Sequence, residues 1–279
     1  MKNFIYLILW LVLMLMGCSN HIPTDWTPRQ QNDQAVWADD SSEVAVIKLS
    51  FEEKRSNLLS STTEQRHFKH QILVQNLDGS GQRAITQWRN YKNGQLFYMK
   101  QAGYLVVEAL LESGARRFDK IALNGNEILI IETPDSDHQP CQDQTATESA
   151  KEPARVQHAV IPSPDGQQLV HIYSPECGQL TVEFLYANSL NVFDTQTMKI
   201  DEPMTATWHP GGYVIFANHK NDKAWKVTPL APQLPVTPPN CLSPVTTSSD
   251  ISLEGLQVYF EGEQLATKEM GRQRAFGCQ

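Results

Sequence analysis

The sequence predicts an all-β protein, a β-propeller-like body of about five degenerate four-stranded blades, with a β-sandwich as the alternative. Three observations predict it. Helical periodicity is scarce, while short runs of β-branched and aromatic residues bounded by Gly, Pro, Asp or Asn recur along the body. A turn-then-strand unit repeats. So does a strand closing on Asp-Gly or Asn-Gly, the pairs that tight hairpins select because their central residues need positive φ.

The expected strands, in chain order, are Val44–Leu49, Gln71–Val74, Tyr104–Val107, Ile128–Ile131, Leu169–Tyr173, Tyr213–Phe216 and Gln257–Phe260. The turn-then-strand unit is complete at Ser163-Pro164-Asp165-Gly166, ahead of Leu169 and Val170. Pro164 presets one turn position and Gly166 supplies the positive φ. The unit recurs at His209-Pro210-Gly211-Gly212 before Tyr213 and at Gln101-Ala102-Gly103 before Tyr104. A weaker copy is Ser252-Leu253-Glu254-Gly255 before Leu256, and Asp40-Ser41-Ser42-Glu43 before Val44 reads as a first copy without its glycine. The glycines of these copies stand roughly 40 to 60 residues apart, one blade's length. The strand-then-turn unit is read at Leu73–Gly79, Lys120–Gly125 and Leu190–Thr195.

Ser163-Pro164-Asp165-Gly166 with Leu169, and Asn76-Leu77-Asp78-Gly79-Ser80 leading to Ile85-Thr86, resemble the TolB-like (PD40-type) β-propeller repeats of bacterial periplasmic proteins. The resemblance extends over residues 36–279 and implies protein partners in the cell envelope.

The N-terminus carries an address. Lys2 precedes an apolar run from Phe4 to Met16 broken only by Tyr6, which reads as a secretory signal. It is too short to span a bilayer, which takes about 20 apolar residues. The ending Leu15-Met16-Gly17-Cys18 resembles the lipobox of bacterial lipoproteins. That resemblance implies removal of residues 1–17, a diacylglycerol on the Cys18 thiol and, with Ser19 rather than Asp next, an outer-membrane destination facing the periplasm. Two or more acyl chains hold a protein stably where one does not. Residues 18–35, Gln/Asn-rich and without apolar period, are expected to be the anchor and a flexible tether, with the folded body at 36–279.

A net charge of −8 argues against nucleic acid as a partner, since such proteins present basic surfaces. Besides Cys18 there are Cys141, Cys177, Cys241 and Cys278, an even number that in an exported chain favours disulfides. Three pairings are open; Cys141–Cys177 with Cys241–Cys278 joins sequence neighbours. No CxxC or CxH spacing supports zinc or a redox cysteine. Two stretches interrupt the repeat and are expected as loop insertions. Residues 132–157 are polar and charged, and 228–249 carry Pro229, Pro232, Pro235, Pro238, Pro239 and Pro244, a spacing that favours extended chain and spacer.

No catalytic set, metal site or cofactor site stands out. Asp135-Ser136-Asp137-His138 lacks the glycine and terminal Glu of a calcium loop. His67 and His70 are expected on opposite faces of a strand, and His158 and His171 at an edge or face. Trp37, Trp88, Trp208 and Trp225 suit packing between blades, or a carbohydrate or peptide platform if they share one rim. The function expected from these features is a lipid-anchored binding or assembly scaffold of the envelope. The alternatives are a hydrolase acting on peptide or glycan, and a glycan-binding lipoprotein.

Overall fold

A computed structural model of the chain describes residues 26–55, 63–89, 92–111, 113–133, 158–200, 204–209, 211–218, 223–236, 252 and 255–270. Cys18, Cys141, Cys241, Cys278 and the Asp135–His138 loop lie outside them.

Among the described residues every regular element is a strand, and the strands form five sheets in chain order. Sheet 1 holds β1 (Thr27–Trp37), β2 (Val44–Arg55), β3 (Thr63–Gln75) and β4 (Arg83–Ala84). Sheet 2 holds β5 (Lys92–Met99), β6 (Tyr104–Leu110), β7 (Arg116–Ala122) and β8 (Glu127–Thr133). Sheet 3 holds β9 (Ala159–Pro162), β10 (Gln168–Tyr173), β11 (Gln179–Tyr186) and β12 (Val192–Lys199). Sheet 4 holds β13 (Thr205–His209), β14 (Tyr213–Asn218), β15 (Lys223–Val227) and β16 (Leu234–Val236). Sheet 5 is the pair β17 (Leu256–Glu261) and β18 (Gln264–Glu269).

The chain forms two compact units. The smaller takes its described residues from 26–30, 50–55 and 63–68. In it Arg66 lies 4.0 Å over the Trp26 ring, Phe51 stacks on Phe68, and Arg29 pairs with Glu53. The larger unit, residues 31–49 and 69–279, holds the buried sheet cores and the polar clusters of sheets 2 and 3.

The order of packing within the larger unit excludes the two-sheet sandwich. One apolar cluster joins sheets 1 and 2 through Val36, Ile47, Ile72, Leu96, Leu105 and Ile121. A larger one joins sheets 2, 3 and 4 through Phe118, Leu169, Phe184, Trp208 and Phe216. A third joins the last sheet to the first: Trp37, Val44 and Val46 meet Val258, Leu256 and Leu265. The Trp37 indole N–H also donates to the Leu256 carbonyl at 2.9 Å. Successive meanders, with the last packed on the first, make the body propeller-like. Each side chain the size of Phe184 or Leu105 buried this way stabilises the fold by about 1.5–3 kcal/mol.

The repeated turn is the joint between blades' first two strands. At Ser163–Gly166 the Gly166 N–H donates to Ser163 O at 2.8 Å, with φ +66° at Gly166. The Asp165 carboxylate accepts from Gln167 N and Ser163 Oγ. The glycine-less first copy uses the same geometry. Ser41 takes the left-handed position at φ +57°, and the Asp40 carboxylate accepts from Ser42 N and Ser42 Oγ.

Three expectations need correction. β1 begins at Thr27, so the tether expected through residue 35 gives way to a strand whose Ala35–Trp37 end is buried. Its early polar residues obscured the strand. The hairpin expected at Leu190–Thr195 turns earlier: Leu190 N donates to Tyr186 O, and Asp194 and Thr195 lie inside β12. The Pro-rich stretch is not all spacer. Leu234–Val236 is the outer strand of sheet 4, with Pro235 opposite Trp225, an edge position that tolerates the missing N–H.

Candidate functional site

Sheet 3 carries a polar set on one face, with Thr181, Thr195 and Thr197 beside it in register. The β10–β11 register puts His171 opposite Glu183, and Tyr173 follows His171 by two residues on the same face. In the β9–β10 register Ile172 faces Ala159, so the residue before β9, His158, falls beside Tyr173.

The side chains meet accordingly. His171 Nδ1 lies 2.9 Å from Glu183 Oε2, and His171 Nε2 lies 2.9 Å from His158 Nδ1. A carboxylate only accepts, so it fixes the His171 proton on Nδ1. The second ring nitrogen, Nε2, is left to share a hydrogen bond with His158 Nδ1. Tyr173 adds a long bond of 3.4 Å to the other Glu183 oxygen. The three rings stack on one another, the His171 and Tyr173 centroids 4.6 Å apart and those of His158 and Tyr173 5.1 Å apart.

Exposure is graded along this chain. The His171 side chain is 4% exposed and that of Glu183 24%. The Glu183 carboxyl is held below its ordinary value, chiefly by the His171 hydrogen bond. The Tyr173 hydroxyl is pushed up, first by burial and then by the Glu183 charge. A carboxylate that orients one imidazole, which in turn holds a second, can bind a polar group or move a proton along a line. Beside it the β10–β11 loop exposes Pro175, Glu176 and Cys177.

Other expected residues separate. His67 is exposed and bonded to Glu52, while His70 is buried on β3. His171, expected at an edge or face, is instead buried. The four tryptophans do not form one platform. Trp37 and Trp208 are buried between sheets, the Trp208 indole N–H donating to Ile161 O at 3.0 Å; Trp88 and Trp225 are half-buried. Glu183 and Tyr173 carry the site yet had no mark in the sequence, because only strand register brings them to His171.

A second ionic cluster lies between sheets 1 and 2. Arg89 makes a two-pronged contact to both Glu127 oxygens, and Arg117 donates to both Asp119 oxygens at 3.0 and 2.8 Å. Burial, then the neighbouring Glu127, pushes the Asp119 carboxyl up to about 6. The Glu127 carboxyl is held down, by Arg89 first among its partners.

Among the described residues no helix is long and apolar enough to cross a membrane. No protein-family model and no curated protein matches the sequence. Among solved structures, acylaminoacyl peptidase from Pyrococcus horikoshii aligns at 9% identity and TM-score 0.45, over 75% of this chain and 32% of that one. The β-propeller domain of the trilobed protease from Pyrococcus furiosus aligns at 9% identity and TM-score 0.43, over 74% and 57%. An oligogalacturonate lyase in complex with manganese aligns at 12% identity and TM-score 0.40, over 74% and 51%. The chain thus spans between a third and three fifths of these proteins, and likenesses this distant transfer neither activity nor ligand to it.

Proposed function

We propose that the protein is a lipid-anchored binding scaffold of the cell envelope, held at the outer membrane through Cys18 and facing the periplasm. It engages a protein partner through the loops at the His158 end of sheet 3. The observation that carries this reading is the Glu183–His171–His158 chain. Placing a carboxylate and two imidazoles in a sheet interior is no more stabilising than well-packed apolar residues of like volume. A contact surface for a polar ligand gives the set a reason to persist. The lipobox-like ending at Cys18 supports the anchor, and Cys177, a bonded half-cystine, supports export to an oxidising compartment. Pairing with Cys141 would staple the β10–β11 loop beside the site.

The test is metabolic labelling with a palmitate analogue and membrane fractionation of the full chain and its Cys18→Ser variant in a Gram-negative host. Label and outer-membrane fractionation confined to the wild type support the anchor. Two unlabelled soluble forms refute it.

A hydrolase acting on peptide or glycan is the second reading, favoured by the Glu183–His171 pair, which is the base half of many hydrolytic sites. It requires turnover of a peptide or glycan substrate that Glu183→Gln abolishes.

A further inference from the structure

Each sheet ends in an outer strand with no further strand beside it among the described residues. Such an edge is a template for pairing unless it is protected. Four of the outer strands carry a protection. β4 is two residues long and starts with Arg83. β12 is covered by the chain that follows β15: Leu230 N donates to Asp194 at 2.8 Å, and Gln233 Nε2 donates to Thr197 O at 3.1 Å. β16 is three residues long around Pro235. β18 ends in Lys268 and Glu269. Shortness, cover, proline and charge are the devices by which natural sheets block edge pairing.

β8 is built differently. It runs seven residues, Glu127–Thr133, without proline, and Ile128 to Ile131 are apolar in succession. Ile128 is 50% exposed and Leu129 45%. One device is present: a bulge opposite Phe118/Asp119 bends the edge at Ile130, yet Ile128 and Leu129 stay in water. Ile130 and Ile131 pack against the apolar cluster of sheets 2 to 4, which holds the strand in place beneath its exposed residues. Alternate backbone N–H and C=O groups of an edge strand point away from its neighbour, and an extended chain laid alongside satisfies them.

Charge selects the occupant. Glu127 and Glu132 stand at the two ends of the apolar run. A second copy pairing antiparallel about the centre of the run would set Glu127 opposite Glu132 at both ends, and like charges directly opposite destabilise a strand pair. An extended segment with apolar residues between two cations sets a Lys or Arg opposite each carboxylate instead. Glu127 is already gripped by Arg89, so exposed Glu132 carries most of this selection.

We infer that the outer edge of β8 is a strand-addition site for an extended, apolar segment of a partner protein flanked by basic residues. The site is separate from the sheet 3 cluster and stands whether or not that cluster engages a partner.

The test uses the full-length protein in detergent and two capped, labelled peptides, Lys-Val-Thr-Val-Thr-Val-Lys and the same chain with Glu for both Lys. Affinity is read by fluorescence anisotropy and strand addition by hydrogen exchange of the β8 amides. The Lys-flanked peptide should bind about tenfold more tightly than the Glu-flanked one. At about ten times its Kd it should raise β8 protection about tenfold, with β16 as the unchanged control. Leu129→Lys, a charge at an exposed edge position, should abolish that protection, and Glu132→Lys should reverse the preference between the peptides. Four results would each overturn the inference: no β8 protection at millimolar Lys-flanked peptide, equal affinity for the two peptides, protection that persists in Leu129→Lys, or a wild-type dimer in sedimentation that Leu129→Lys dissociates, which would make a second copy the occupant. Should Leu129→Lys fail to fold, the wild-type exchange and the Glu132→Lys preference decide.

Discussion

Gly166→Ala tests the joint between sheets 2 and 3. Gly166 sits at φ +66°, where a side chain costs about 1–2 kcal/mol. An added Cβ would stand 2.5 Å from the Ala102 Cβ, 3.5 Å from Met99 Cε and 3.6 Å from the Tyr104 hydroxyl. The first distance is an overlap between two repeated turns, and the Tyr104 hydroxyl also donates to Gly166 O at 2.8 Å. Overpacking of this kind costs about 1–3 kcal/mol. The two effects together give a loss of about 2–5 kcal/mol in urea unfolding, at unchanged slope. A double-mutant cycle separates them. Ala102→Gly removes the methyl that the new Cβ meets, so it should recover about 1–3 kcal/mol of the loss and leave the backbone part. A loss under about 0.5 kcal/mol, within the range of ordinary surface changes, would refute the reasoning. So would a cycle with no coupling.

Three further outcomes follow from named contacts. Gly94→Ala puts a Cβ 2.5 Å from the Glu108 carboxyl carbon, so it should dislodge Glu108 from Arg116 and from Gln95 N and lower thermal stability by about 2–3 kcal/mol. Trp208→Phe removes the indole donor to Ile161 O and leaves space between sheets 3 and 4, for a loss of about 2 kcal/mol in urea unfolding. Glu183→Gln should flatten the acid limb of the stability curve. A carboxyl held below its ordinary value stabilises the fold above the unfolded value and loses that contribution as pH falls through the folded one, so wild type and variant should converge at low pH in thermal melts.

The strands were legible because their signal is local. Val44–Leu49, Tyr104–Val107 and Leu169–Tyr173 are β-branched runs bounded by turn residues, and each lies within an observed strand. The five-sheet order was legible through turn chemistry, which survives loss of the glycine in the first copy because Asp40 makes the bonds that Asp165 makes. β1 was hidden because its first eight residues, Thr27 to Gln34, are polar and mostly exposed. The Tyr186–Asn191 turn was hidden because Leu190 holds the positive φ without Gly or Asn. The site was the least legible. His158 and His171 were visible as residues, but Glu183 joins them only through the pairing of β10 with β11. Asp119 and Glu127 likewise become neighbours only through the β7–β8 register, shifted by the bulge at Phe118/Asp119.

The central claim is that an anchored propeller-like body recruits an envelope protein at the loop beside His158. In-cell photo-crosslinking tests it most directly, with the crosslinker at exposed Glu176 in the β10–β11 loop and a control at Leu234 on the outer strand of sheet 4. The account predicts a reproducible envelope-protein adduct from position 176 that is absent from position 234 and is lost in Cys18→Ser. No adduct from 176, or equal adducts from both positions, would contradict it.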